Sequence, residues 1–228
     1  METQGQPLYP FQSRFLQIRG LSLHYVDEGA GDPVVMVHGN PTWSFFFRLL
    51  IKDLSKDHRV VAPDHIGCGL SEKPDFERYD FRLKRRVSDF TEFMNRMRFT
   101  RPVTLVVHDW GGMIAMAWAV RHPAQVSRIV VLNTAAFPPP KGKPIPLRLR
   151  LIRNLPMIAR PAVLRGNIFS RCAVYMAVTQ PLSPTVKRGY TLPYGVPRHR
   201  IATWKFVQDI PLSPSDPGFH MVLDTAVK

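Results

Sequence analysis

The stretch "LVVHDWGGM", residues 105–113, runs a set of β-formers into a glycine pair and then a helix-forming segment. That is the outline of a strand–turn–helix elbow, a turn that usually presents a Ser nucleophile at its tip. Here the tip residue is Asp109. A residue on such a turn stands clear of the backbone at the positive end of the following helix, and Gly111 and Gly112 let that helix approach closely. A Ser alkoxide suits attack on an acyl carbon. A carboxylate suits displacement at a saturated carbon, which leaves an alkyl ester on the protein that water, with a His as base, can later cleave. The plainer alternative is an Asp that caps a helix.

Working outward, the chain alternates strand and helix. "FLQIRG" and "LSLHYVDEG" read as a hairpin turning at Gly20. "PVVMVHG", "HRVVAPD", "RPVTLVVHD" and "VSRIVVLNT" read as strands. "TWSFFFRLLIKDLS" reads as a helix with Thr42 or Ser44 as its N-cap. "DFRLKRRVSDFTEFMNRM" carries Phe81, Val87, Phe90, Met94 and Met97 at helical spacing, and "WGGMIAMAWAVRH" reads as a buried helix. The alternation predicts an α/β fold, a mostly parallel sheet flanked by helices. From "AAFPPPKGKP" onward the rhythm breaks into a Pro- and Arg-rich region with short helical stretches, "IPLRLRLIRNLPMIA" and "NIFSRCAVYMAVTQ". This predicts a core over 1–136, a helical cap over 137–211, and a returning core segment over 212–228 that begins a further helix at "GFHMVLDTAVK".

A second stretch, "VHGNPTWS" at residues 37–44, also lies between a strand end and a helix. Ligands of open α/β sheets sit beyond the carboxyl ends of the strands, so Asn40 is expected to face Asp109. The backbone N–H groups of Asn40 and Trp110 would then form an oxyanion hole. The Asn40 amide and the Trp110 indole N–H are neutral donors suited to a departing anion. Taken singly, Asn40 reads as a turn residue and Trp110 as packing.

Composition bounds the partners. Hydrophobic residues make up 45% and charged residues 21%, which reads as soluble and globular. Cys68 and Cys172 form no disulfide framework, and "METQGQPLYP" lacks the regions of a signal peptide. No apolar run approaches the roughly 20 residues of a membrane span, so a cytoplasmic protein is the expectation. The net charge of +14 is lopsided. Residues 1–109 hold 15 Lys/Arg and 14 Asp/Glu, residues 110–228 hold 16 and 3, and nothing acidic lies between Asp109 and Asp209. Such a basic half suits a partner enzyme or a peripheral membrane contact through the cap, or belongs to a longer chain that carries the balancing acids elsewhere. No nucleic-acid-binding motif accompanies it, and nothing implies a metal or another cofactor.

"HGNPTWS", "PDHIGCGLSEKP" and "VVHDWGG" together resemble the haloalkane dehalogenase family of α/β hydrolases, over essentially the whole chain. The resemblance implies the α/β-hydrolase fold with a cap inserted after the sixth strand. It implies Asp109 as nucleophile, with Asn40 and Trp110 holding the leaving group, for a small hydrophobic substrate. Related epoxide hydrolases use lid tyrosines, for which Tyr175, Tyr190 and Tyr194 are candidates. The cap stretches "VVLNTAAFPPPKGKPIPLRLR", "RGNIFS", "GYTLPY" and "FVQDIPLSP" are similar to the β-lactone decarboxylases of long-chain olefin biosynthesis, which turn a β-lactone into an alkene and carbon dioxide.

Two departures stand out. The family's base His and its orienting acid are absent from this chain. His38 and His108 read as structural, His220 lies on the last helix, and Asn133 occupies the place where one branch has its acid. The expectation is a C-terminally truncated chain, lacking two strands, that alkylates but does not turn over, or a non-catalytic protein. The strand 126–134 would then be an open, self-associating edge.

Overall fold

The computed structural model describes residues 8–138 and 145–227. Residues 1–7, 139–144 and 228, which include most of the N-terminal stretch and the proline-rich junction ahead of the cap, lie outside the described residues. β1 (Arg14–Ile18) and β2 (Leu21–Glu28) form an antiparallel hairpin. Arg19 and Gly20 between them take φ of 50° and 78°, the pair of left-handed residues that a two-residue turn needs to follow the strands' twist. There follow β3 (Asp32–Val37), α1 (Arg48–Leu54), β4 (His58–Pro63), α2 (Leu83–Met97), β5 (Val103–His108), α3 (Trp110–Ala119) and β6 (Val126–Leu132).

The sheet order is β1-β2-β4-β3-β5-β6. β2 runs antiparallel to β4, and the ladders β4/β3, β3/β5 and β5/β6 are parallel. From β3 the chain steps to one side to make β4, then crosses to the other side to make β5. The carboxyl ends of β3 and β5 are therefore neighbours at the point where the winding reverses, the crevice in which open α/β sheets bind ligands.

Side chains alternate across the sheet with period two. Val35, Val37, Val61, Leu105 and Val107 face a core shared with α2 and α3. Val34, Met36, Val60, Ala62 and Val106 face the other side, toward Phe47 and Ile51. Both faces are apolar because both are covered, as parallel sheets require.

The expected N-cap is corrected. Ser44–Phe47 form a 3-10 turn and α1 begins only at Arg48, so neither hydroxyl caps it. The Ser44 backbone N–H donates to Asp64 Oδ1 at 2.7 Å, and the Thr42 hydroxyl donates to the Gly39 carbonyl at 3.1 Å. A tertiary carboxylate has taken over the capping role.

After β6 come α4 (Leu147–Asn154), α5 (Pro156–Leu164), α6 (Ile168–Met176), α7 (Pro184–Thr191), α8 (Ile201–Gln208) and α9 (Phe219–Val227). The stretch 145–159 divides into two helices, because Leu155 precedes a proline and leaves the helical region (φ −117°, ψ 64°). Pro156 then opens α5 at the position where a missing N–H costs nothing.

Two buried polar groups hold these helices in place. The Arg200 guanidinium donates to the carbonyls of Tyr194 (2.7 Å), Gly195 (2.8 Å) and Leu164 (2.5 Å). The Asp209 carboxylate, at the end of α8, accepts from Leu83 N at 2.6 Å and from Arg82 Nη1 at 3.0 Å, and so caps α2 from outside. α9 returns to pack on α3.

Among the described residues β6 pairs only with β5. Its other edge presents Ile129, Val130 and Val131 at 42%, 43% and 53% exposure. An apolar, β-branched edge with free backbone groups recruits further strands. Val130→Lys should therefore lower the apparent mass of the 228-residue chain in concentration-dependent light scattering. Unchanged association would show that this edge is not the contact.

Candidate active site

At the end of β5 the backbone turns sharply through Asp109, which takes φ 49° and ψ −125° before α3 starts at Trp110. Such a conformation costs a non-glycine residue on the order of 1–3 kcal/mol, and persists only where its surroundings over-determine it. Three glycines give the room. A Cβ on Gly111 would lie 2.0 Å from the Val37 carbonyl oxygen, and one on Gly39 would lie 2.2 Å from Asp109 Oδ1. One on Gly112 would meet Thr134 Oγ1 at 2.1 Å. The Thr134 hydroxyl in turn donates to the Asp109 carbonyl.

The predicted neighbours meet. Asn40 N donates to Asp109 Oδ1 at 2.7 Å, and the Trp110 backbone N–H also reaches this carboxyl. These are the two backbone donors expected to form an oxyanion hole, and here both meet the Asp109 carboxylate. Burial raises the Asp109 carboxyl above its ordinary value of 3.8, and the two backbone bonds and nearby His108 offset only part of that rise.

The Asn40 side chain has a second duty that its sequence context did not announce. Its Nδ2 donates to the Thr203 carbonyl at 2.9 Å, which ties α8 to the turn after β3. An amide NH₂ has two protons, so one is committed to the cap. Trp110 is buried with its ring 5.0 Å from that of Phe206.

Asp109 opens onto a cavity of about 190 Å³. Phe46, His108 and Asn133 line it from the core side, and Val174, Val178 and Leu182 from the cap side. Three roomier grooves, of about 230 Å³, 320 Å³ and 470 Å³, lie elsewhere and are bordered by arginines, with no elbow residue in any of them.

The other sequence candidates separate cleanly. His38 is fully buried, with Nδ1 bonded to the Gly39 carbonyl at 2.8 Å and Nε2 accepting from His65 N at 3.0 Å. Burial lowers its basicity, so it serves as a neutral tie and not as a base. His108 lines the cavity, stacked on Phe46 with centroids 4.1 Å apart, and burial lowers its pKa. His220 is exposed on α9. Asn133 stands after β6 with φ 42° and borders the cavity.

Of the three candidate lid tyrosines only Tyr190 lines this cavity. Tyr194 is fully buried with its hydroxyl donating to the Thr42 carbonyl at 3.3 Å, and Tyr175 is 66% exposed under Lys187. Among the described residues no group of His, Cys, Asp and Glu could hold a metal ion.

Sequence reasoning assigned no role to Asp64, and the structure does. Its carboxylate is fully buried at the end of β4. It accepts from Ser44 N (2.7 Å), Leu70 N (2.8 Å) and His24 Nδ1 (2.9 Å). Burial alone would push this carboxyl up, but His24 and the Leu70 N–H outweigh it and hold the pKa far below the usual carboxylate range. The signal lay in "PDHIGCGL": an Asp just past a strand, followed by glycines of which Gly69 leaves no room for a Cβ, 2.0 Å from Asp64 Oδ2.

A family profile described as alpha/beta hydrolase fold matches residues 32–173. The chain is 47% identical over 221 residues to a cis-3-alkyl-4-alkyloxetan-2-one decarboxylase of Shewanella oneidensis, covering 96% of this chain and 69% of that protein. It is 33% identical over 218 residues to a haloalkane dehalogenase of Mycolicibacterium paratuberculosis, covering 92% and 69%. The crystal structure of the haloalkane dehalogenase DatA from Agrobacterium tumefaciens C58 superposes with a TM-score of 0.84 at 26% identity, over 95% of this chain and 74% of that one.

Because Asp64 accepts three bonds in a dry interior, Asp64→Asn places an NH₂ against a donor. It should cost about 3–5 kcal/mol and lower the melting temperature by roughly 6 °C or more. The folded pKa is depressed, so this stabilisation is present above the ordinary value of 3.8 and lost as pH falls below it. Thermal melts of wild type and variant across that range check both points.

Proposed function

The chain belongs to the α/β hydrolase fold family, in its haloalkane dehalogenase-like branch, and we propose that it acts there as a decarboxylase of β-lactones bearing long alkyl arms. The observation that carries this reading is the 47% identity, over 96% of the chain, to a relative named for that activity. The geometry supports it with a carboxylate, not a hydroxyl, at the elbow tip, facing an apolar cavity.

Asp109 is the nucleophile. One oxygen is held by the backbone N–H of Asn40, and the other attacks the saturated ring carbon that bears the ring oxygen. That C–O bond breaks, its electron pair passes to the ring oxygen, and the lactone carbonyl becomes a free carboxylate. An alkyl ester of Asp109 results, with inversion at the attacked carbon. The bond from the neighbouring ring carbon to this carboxylate then breaks and releases carbon dioxide. Its pair forms the alkene as the ester C–O bond breaks and returns the carboxylate to Asp109. Inversion followed by departure from opposite faces turns a cis lactone into a cis alkene. The backbone N–H groups of Asn40 and Trp110 hold the ester carbonyl and the returning carboxylate. Asn40 borders the cavity, and its uncommitted amide proton is the donor available to the transient carboxylate.

This cycle takes up no water and moves no proton, so it asks for no base beside Asp109. Halide displacement makes the same kind of ester but needs activated water to clear it, and among the described residues His108 is the one imidazole bordering the cavity. A dehalogenase reading, favoured by the 33% identical relative, therefore predicts a first step only from these residues. Epoxide opening is supported by Tyr190 alone. The free thiols of Cys68 and Cys172 are consistent with a reducing, cytoplasmic setting.

With a cis-3,4-dialkyl β-lactone, alkene should appear by gas chromatography, and Asp109→Ala should abolish it. The raised Asp109 pKa predicts an acid limb displaced above 3.8, since the protonated carboxyl cannot attack. With a bromoalkane, intact mass spectrometry should show one persistent adduct on the peptide containing Asp109. Asn40→Ala and Trp110→Phe should slow bromide release about 10²-fold each, and lactone opening less, because its leaving carboxylate remains tethered. Alkene formation that survives Asp109→Ala, or many equivalents of bromide without adduct, would overturn the reading.

A further inference from the structure

From Trp110 to Gln208 the chain contains no acidic residue, and the cap helices lie within that span. Their surface is also greasy. Leu147 and Leu151, one turn apart on α4, are 67% and 48% exposed, and Leu155, Met157 and Ile158 follow at 44%, 88% and 68%. Five large apolar side chains thus face water within the twelve residues from 147 to 158, where a chain working in water alone would place polar groups.

Exposed Arg148, Arg150 and Arg160 are interleaved with them. Beside α5 a groove of about 470 Å³ is bordered by Arg160, Arg165 and Arg198 together with Phe76. The Arg160 guanidinium lies 5.5 Å from the Phe76 ring centroid. Among the described residues the carboxylate pairs in this region are Arg153–Asp216 and Arg82–Asp209, so none of these five arginines is neutralised.

We propose that the cap docks on an anionic lipid surface, through Leu147, Leu151, Met157 and Ile158 inserted among acyl chains and Arg148, Arg150, Arg160 and Arg165 set against lipid phosphates. The two features call for one partner. Unpaired arginines want phosphate, and apolar side chains beside them want a hydrocarbon layer. A bilayer supplies both at the right separation, because an amphipathic element lies with its apolar face roughly 5–10 Å into the headgroup boundary. A nucleic acid would answer the arginines and leave the leucines in water.

No helix among the described residues is long and apolar enough to cross a membrane. The docking surface stands apart from the chemistry at Asp109 but connects with it. Tyr175 and Met176 are exposed on α6 at 66% and 56%, and neighbouring Val174 and Ala177 line the cavity.

The test is co-sedimentation of the full chain with vesicles of phosphatidylcholine alone, or mixed with an equal part of phosphatidylglycerol. Binding should require phosphatidylglycerol and fall with added salt. Each basic residue near such a surface is worth about fivefold in binding, so Arg148→Glu with Arg150→Glu should weaken it at least tenfold. Met157→Asp with Ile158→Asp should do the same at unchanged charge elsewhere, and Met157→Ser with Ile158→Ser should give a milder loss. Near-ultraviolet circular dichroism and bromoalkane labelling of Asp109 report that each variant is folded. Binding indifferent to phosphatidylglycerol, variants that bind like wild type, or capture of another protein by this face without any affinity for vesicles would each overturn the proposal.

Discussion

The backbone N–H of Asn40 donates to the carboxylate of Asp109 across 2.7 Å, and this bond joins the ends of the two central parallel strands, β3 and β5. It can form only because nothing intervenes: Gly39 has no Cβ to strike the carboxylate and Gly111 none to strike the Val37 carbonyl. Close approach then places α3 with its amino end under Asp109, so that the Trp110 N–H adds a second bond. The strained backbone at Asp109 is the consequence. Of order 1–3 kcal/mol, the strain is small beside the burial of the β3 and β5 side chains that lock the two strands together. The two backbone donors, the direction of the carboxylate and the start of α3 are therefore one structural fact.

That arrangement was legible in the sequence to the extent that it depends on local chemistry. Gly111 and Gly112 after a run of β-formers announce an elbow, and the period-two and period-3.6 patterns announce the strands and helices around it. What stayed hidden depends on partners distant in sequence. Asp64 reads as a residue beside a turn, and only the fold brings Ser44 and His24 to its carboxylate. The same carboxylate explains why the N-cap expected of Thr42 or Ser44 did not appear. The division at Leu155 was available from the proline rule but masked by an apolar run that suits one continuous helix. Asn40 was placed correctly, yet its bond to the Thr203 carbonyl needs α8, more than a hundred residues away.

The cap shows how little polar cement is needed to fix short helices over a site. Arg200 gathers the carbonyls of Tyr194, Gly195 and Leu164, so one cation satisfies the ends of three segments. Asp209 binds the first turn of α2, and the Trp43 indole donates to the Gly189 carbonyl at 3.1 Å. Each tie joins these helices to one another or to the core through backbone groups.

At Asp109 the opposing influences on the carboxyl bear directly on the chemistry. Burial raises its pKa, which in carboxylates accompanies greater nucleophilicity, while the two backbone donors lower it and stabilise the anion. A nucleophile that must only attack would be served by burial alone, since its ester is cleared by water at the acyl carbon. A carboxylate that must also depart from carbon needs its anion stabilised as the C–O bond breaks. The N–H groups of Asn40 and Trp110 can do this because they address the ester carbonyl, where charge accumulates as the ester leaves. In the proposed cycle, two donors suited to an oxyanion hole also stabilise the leaving carboxylate. A carboxyl raised by burial, partly held down by backbone donors and bordering the cavity, suits a group that first attacks and then leaves.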